Sequence, residues 1–266
     1  MMRKKWGIVL KALGISVILL VLRLVVDILG LDVITVNTMI SAFVGGAIFT
    51  IAIIFSGTLI DFKESEKIPG DLASAIRNLY HDSRVVEVTD KSLVGDLQSH
   101  IKRLMHVINA NFMSNAWRQT EITSAMDAVN DDITRLARVN APPQFIVKLR
   151  TEVSTIDKLS NRIEVIMETS FIPAAYAISE LATAASIFVL LFIRMDTFFE
   201  GLVVFLAFSA LLISLNLLIK DMDNPFEVGG DSHADVDMEL LWKLETYLDE
   251  KISTDKGAGE PAELLK

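Results

Sequence analysis

The run Val33-ITVNTMISAFVGGAIFTIAIIFSGTL-Ile60 decides the fold of this chain. Asp32 and Asp61 bound it, and no charged residue lies between them. A helix needs ~20 mostly apolar residues to cross a hydrocarbon core about 30 Å thick. As a helix the run would reach about 42 Å at ~1.5 Å per residue, enough to cross with tilt or to protrude. Two further runs have the same character. Phe171 to Ile193 carries one acid, Glu180, and Thr197 to Ile219 carries Glu200 near its outer end.

A fourth run, Trp6 to Leu31, is interrupted by Lys11, Arg23 and Asp27. Arg23 and Asp27 are four residues apart and meet on one helix face, which lowers the cost of carrying them in lipid. Arg3, Lys4 and Lys5 before this run would also suit a signal peptide. No small-residue cleavage site precedes Asp32, and the next span follows within a few residues, so a retained anchor is expected.

The composition agrees with such a layout. The chain has 266 residues, 52% of them hydrophobic, 22% charged, and a mean hydropathy of +0.45. The apolar excess must therefore be segregated from the charge. A net charge of −9 and the absence of cysteine exclude a basic nucleic-acid binder and a disulfide-stapled secreted domain. Basic residues set the orientation. Arg3, Lys4, Lys5 and Lys11 stand at the start, fourteen Lys and Arg lie between Asp61 and Ser170, and five Lys follow from Lys220. Gly30 to Thr38 has none, and Arg194 to Phe198 has only Arg194. The positive-inside tendency then places both termini and the middle segment in the cytoplasm, and four spans satisfy that parity.

The segment from Asp61 to Ser170 has helical apolar periodicity. Leu93, Leu97, Ile101, Leu104 and Ile108 form one stripe. Ile122, Met126, Val129, Ile133 and Leu136 form a second; Ile146, Leu149, Val153, Ile156, Leu159 and Ile163 form a third. Steps of three and four are the signature of helix–helix packing. Breaks are expected at His81 to Lys91, where Val85, Val86 and Val88 disfavour helix, and at Ala141-Pro142-Pro143, where Pro143 can open the next helix. After Ile219 the chain is acidic, with thirteen Asp and Glu against five Lys. Met238 to Ile252 reads as a short amphipathic helix with Leu240, Leu241, Leu244 and Leu248 on one side, and Ser253 to Lys266 as a mobile end. The expected fold is an all-α membrane protein: transmembrane helices 1 and 2 in 1–60, a cytoplasmic helical bundle in 61–170, transmembrane helices 3 and 4 in 171–219, and an acidic cytoplasmic tail in 220–266.

No enzyme is expected. The sequence has no phosphate-binding glycine loop, no nucleophile elbow and no His–Glu–His zinc spacing. The histidines, His81, His100, His106 and His233, read as surface residues, and His100 and His106 do not share a helix face. Asp235, Asp237 and Glu239 alternate but lack the glycine and spacing of a calcium loop, so neither a metal nor another cofactor is expected. The second span is more informative. Ala42, Gly46 and Thr50 recur every four residues, as do Ser41 and Gly45, and small residues at that spacing allow close helix approach. Gly45, Phe49 and Ile53 share one face. In a ring of subunits that face could line an axial pore, with Phe49 and Ile53 as an apolar constriction. Ordinary lipid or helix contact is the other reading of the same face.

The layout and three local motifs resemble the bestrophin and bestrophin-like channels. Ile172-Pro173-Ala174-Ala175-Tyr176 resembles the family's Ile-Pro-x-x-Tyr, and Asn224-Pro225-Phe226 its Asn-Pro-Phe element. Phe62 to Lys67, Gly70-Asp71-Leu72 and Arg77-Asn78-Leu79 resemble its segment below the pore neck. The resemblance implies a homopentameric channel of a prokaryotic inner membrane, with the chain itself, the lipid bilayer and small monovalent inorganic ions as partners. It aligns Gly45, Phe49 and Ile53 with the family's neck. Glu180 and Glu200 are candidates for conduction if they face the axis, or for interhelical pairing if they do not. Glu227 is followed by Val228-Gly229-Gly230, so the calcium clasp of the animal members is broken here. A non-conducting membrane scaffold acting through the helical bundle is the alternative.

Overall fold

The computed structural model describes residues 2–86, 90–168, 173–195, 197–229 and 232–257. These are almost entirely helical and divide into two compact units. The first comprises Met1–Lys63, Ser170–Pro225 and Gly229–Asp235; the second comprises Glu64–Thr169, Phe226–Val228 and Val236–Lys266.

The first unit holds α1 (Met2–Ile28), most of α2 (Thr38–Ser65), α7 (Pro173–Phe192) and α8 (Phe198–Met222). All four are long and apolar enough to cross a membrane. Continuous apolar sequence favours helix here because every interior backbone group is then bonded within its own segment. Helices α1 and α8 lie along one another, and α7 packs on both. Ile51, Ile187, Leu191, Phe205, Leu212 and Ile219 form the centre of the packed interior.

Two details depart from the expected spans. The second span begins at Thr38, not Val33, because Asn37 caps the helix: its side-chain oxygen accepts the Ile40 amide at 2.9 Å. Ahead of the cap, β1 (Ile34–Thr35) pairs in parallel with β2 (Ile193–Arg194), so the fold is not purely helical. Arg23 and Asp27 do meet, at 2.8 Å. The Arg23 guanidinium also donates to the Leu191 carbonyl at 2.5 Å. That carbonyl lies in the last turn of α7, where unpaired C=O groups carry partial negative charge, so the arginine serves as a C-terminal cap. In the last turn of α8, Asp221 accepts the amides of His233 and Ala234 at 2.8 and 2.7 Å, tying those two residues back to the helix.

The second unit is a helical bundle of α3 (Ile68–Val85), α4 (Lys91–Met113), α5 (Gln119–Arg138), α6 (Pro143–Glu168) and α9 (Glu239–Gly257). Helix α4 packs on α5, α5 on α6, α6 on α3, and α9 on α3 and α4. The three stripes read from the sequence supply its interior, although Leu93, Ile146 and Leu159 are only half-buried. Asp90 caps α4 by accepting the amides of Ser92 and Leu93 at 3.0 and 3.1 Å. Asn115 and Asn140, with φ of 50° and 60°, follow α4 and α5, and Asn is among the few residues that tolerate this left-handed region. Pro143 opens α6. Val88 lies outside the described residues.

Three expectations for the C-terminal segment and the histidines need correction. Leu241, Leu244, Leu248 and Ile252 form the buried stripe of α9, whereas Leu240, one position off that face, is half exposed. Helix α9 continues to Gly257, past the expected end at Ile252. His81 and His106 are exposed, but His100 and His233 are half-buried. His100 Nδ1 lies 2.5 Å from the buried Asp132 carboxylate, which joins α4 to α5.

Candidate pore-lining face

Helix α2 has two unlike faces. Ala47, Ile51 and Thr58 are buried, and Ile48, Ile54 and Phe55 pack partly against the first unit's interior. Gly45, Phe49 and Ile53 fall on the opposite side, because a step of two residues turns a helix by about 200°. Phe49 is 66% exposed and Ile53 56% exposed. A Cβ built on Gly45 or Gly46 would meet nothing within 4 Å. The face singled out by its spacing is thus an apolar surface left open by the rest of the unit.

Glu180 and Glu200 stand elsewhere. Glu180 is ion-paired across helices with Lys220 of α8. Glu200 is exposed in the first turn of α8, where the helix dipole favours an acid.

The motif residues gather at the opposite end of the spans from Arg23. Pro173 opens α7, and its missing amide costs nothing at a helix start. One turn on, the Tyr176 hydroxyl donates to Asp223 at 2.5 Å, immediately before Asn224 and Pro225. Thr58 of α2, whose hydroxyl donates to the Ile54 carbonyl at 3.1 Å, stands beside Tyr176. Two motifs far apart in sequence therefore meet on the end of α2. Ile172 lies outside the described residues. Within the second unit, Phe226 is fully buried, its ring 5.7 Å from that of Phe112, which in turn lies 4.9 Å from Trp117. The Asn115 side-chain amide fixes the segment that follows by exchanging two hydrogen bonds with the Val228 backbone, at 2.7 and 3.0 Å.

A further polar group lies in the spans: Asn216 of α8 bonds Ser179 and Thr183 of α7. Neither this network nor the Arg23 contact to α7 is anticipated by the sequence reading. An asparagine inside an apolar run is the available signal, since a polar side chain in lipid needs a partner.

The sequence model of the Bestrophin-like domain matches residues 8–227. The chain belongs to that family. Solved structures similar to this bestrophin-like chain include a bacterial bestrophin homologue from Klebsiella pneumoniae, with a TM-score of 0.72 at 13% identity, covering 93% of this chain and 98% of that one. A point mutant of a Klebsiella pneumoniae homologue gives a TM-score of 0.72 at 12% identity, covering 94% and 99%. A point mutant of a membrane protein gives 0.73 at 12% identity, covering 92% and 97%. No curated protein sequence matches the chain at a significant level. At such identities the structural likeness establishes the fold: a nearly all-helical chain with four candidate spans.

Proposed function

We propose that this chain assembles into a homopentameric ion channel whose axial pore is lined by α2, with Gly45, Phe49 and Ile53 as its neck. The observation that carries the reading is the open apolar face of α2, opposite the face that packs within the chain. Membership of a family known as ion channels supports it. Copies of that face converging on an axis would form an apolar constriction that gates by dewetting, with discrimination set by width, desolvation and ring charges. In this reading the helical bundle forms a cytoplasmic vestibule, both termini are cytoplasmic, and the protein is a multi-pass component of a prokaryotic inner membrane. The permeant species are small monovalent ions.

The test is flux from liposomes holding the purified oligomer. Wild-type protein passes small monovalent ions, and Phe49→Ala with Ile53→Ala raises the flux severalfold by opening the constriction. An intact oligomer that passes no ions, with or without these substitutions, refutes the proposal.

A further inference from the structure

Helices α1, α7 and α8 leave between them a cleft of about 300 Å³, at the lower end of the size range of small-molecule sites. Its walls are Ile15 and Leu19 of α1, Ala184 and Ile187 of α7, and Ile213 and Leu217 of α8. Asn216 and Thr183 also reach it, but they bond one another, and Asn216 bonds Ser179. The cleft is therefore apolar along its length and charged at one end, where Lys220 and Glu180 pair across α8 and α7. Lys220 stands two residues before the end of α8 and Glu180 two turns into α7, and a lysine so near a span's end can extend its ammonium toward the headgroups. Both charged side chains are about half exposed, at 56% and 50%. An ammonium has three donors and a carboxylate has two oxygens, so each retains capacity beyond their mutual contact.

We infer that this cleft holds a bilayer phospholipid with a zwitterionic, primary-amine headgroup. One acyl chain fills the apolar trough, the phosphate meets Lys220, and the headgroup ammonium donates to Glu180. Charge complementarity selects this occupant. An anionic headgroup lacking an amine would set its phosphate on Lys220 but offer Glu180 only hydroxyl donors, a weaker match than an ammonium. A trimethylammonium headgroup has the charge but no N–H to donate. The inference rests on the membrane reading of α1, α7 and α8, and not on conduction.

The test is native mass spectrometry of the oligomer released from nanodiscs of phosphatidylethanolamine, phosphatidylglycerol and phosphatidylcholine in equal parts. Wild-type protein retains phosphatidylethanolamine in preference to the other two. Lys220→Ala and Glu180→Gln each lower that retention about tenfold, the scale of one charge-assisted hydrogen bond. Ala184→Phe fills the trough and abolishes retention while the subunit number stays the same. Equal retention of the three lipids, no retained lipid, or indifference to all three substitutions overturns the inference. So does dissociation of the oligomer by Ala184→Phe, which would mean that a second copy covers the cleft. Flux measured on the same samples separates the two proposals: retained lipid without flux fails the channel alone, and flux without retained lipid fails the lipid site alone.

Discussion

Arg23→Met removes a buried charge that joins two helices of the first unit, and its consequence can be worked through. The Arg23 side chain is 4% exposed, lies 2.8 Å from Asp27, and donates to the Leu191 carbonyl at 2.5 Å. Deleting one member of a buried ion pair costs about 3–5 kcal/mol, because the other charge is left without compensation. Asp27, only 15% exposed, would be that charge. The double variant Arg23→Met with Asp27→Leu removes both charges and leaves only the last carbonyls of α7 without their donor, a cost of about 1–3 kcal/mol. The double variant is therefore more stable than the single one by about 2 kcal/mol, whereas additivity would make it less stable, since Asp27→Leu alone strands Arg23 and is itself destabilising. Equilibrium unfolding of the purified protein in mixed detergent and dodecyl sulfate, followed by tryptophan fluorescence, measures both. A double variant at least as unstable as the single one, or a single variant close to wild type, would refute the capping and pairing argument.

Two further predictions concern the second unit. Phe226→Ala leaves a cavity against Phe112 and lowers the stability of the protein by about 3–5 kcal/mol, while Phe226→Leu costs less; thermal melting in detergent measures both, and an alanine variant as stable as wild type would show that the aromatic cluster contributes nothing. Lys148 is held 2.7 Å from Asp82, and that hydrogen bond, then the charge of Asp82, raises its pKa above the ordinary lysine value of 10.5. A lysine raised on folding contributes stability that is fully present below its unfolded pKa and is lost as pH rises through the folded one. The melting-temperature gap between wild type and Lys148→Met is thus flat from neutral pH to about 10 and shrinks above it; a gap that widens there contradicts the pairing.

What the sequence made legible was whatever has a local signature. Apolar runs and steps of three and four marked the spans and the bundle stripes, and Pro143 marked a helix start. The i, i+4 spacing of Arg23 and Asp27 gave their ion pair, since one helix carries both partners. The contact of Arg23 with the last turn of α7 was not legible, because it joins residues far apart and depends on how two helices end beside one another. The same holds for Tyr176 with Asp223, for Asn216 with Ser179, and for the two-residue strands β1 and β2, which are too short to show any period. Leu240 illustrates a subtler failure. Four leucines within nine positions fit a single stripe only loosely, and the structure resolves the ambiguity by burying 241, 244 and 248 and leaving 240 at the edge. At the candidate site, spacing identified the residues of the α2 face, but that the rest of the unit leaves this face open needed the fold.

Glycines in the spans separate what one chain needs from what an assembly would need. A Cβ on Gly201 would lie 3.2 Å from Met195 Cγ, and one on Gly7 would lie 1.8 Å from His233 Nε2. In both places a side chain of the same chain would have to give way to a Cβ. Gly45 and Gly46 have no such neighbour, for a Cβ there meets nothing within 4 Å. Each sits inside a helix, where glycine is less favourable than alanine by about 0.5–1 kcal/mol. Among the described residues no neighbour offsets that cost, and lipid tails accommodate a methyl group as readily as a hydrogen. The remaining place for an offset is outside the chain, where small residues spaced by four let another helix come close. Ala42, Gly46 and Thr50 supply that spacing, with Gly45 alongside, and Phe49 and Ile53 follow on the same open side of α2. In the proposed assembly, a neighbouring copy of the helix set against Ala42, Gly46 and Thr50 would offset the glycine cost and leave Gly45, Phe49 and Ile53 turned to the axis.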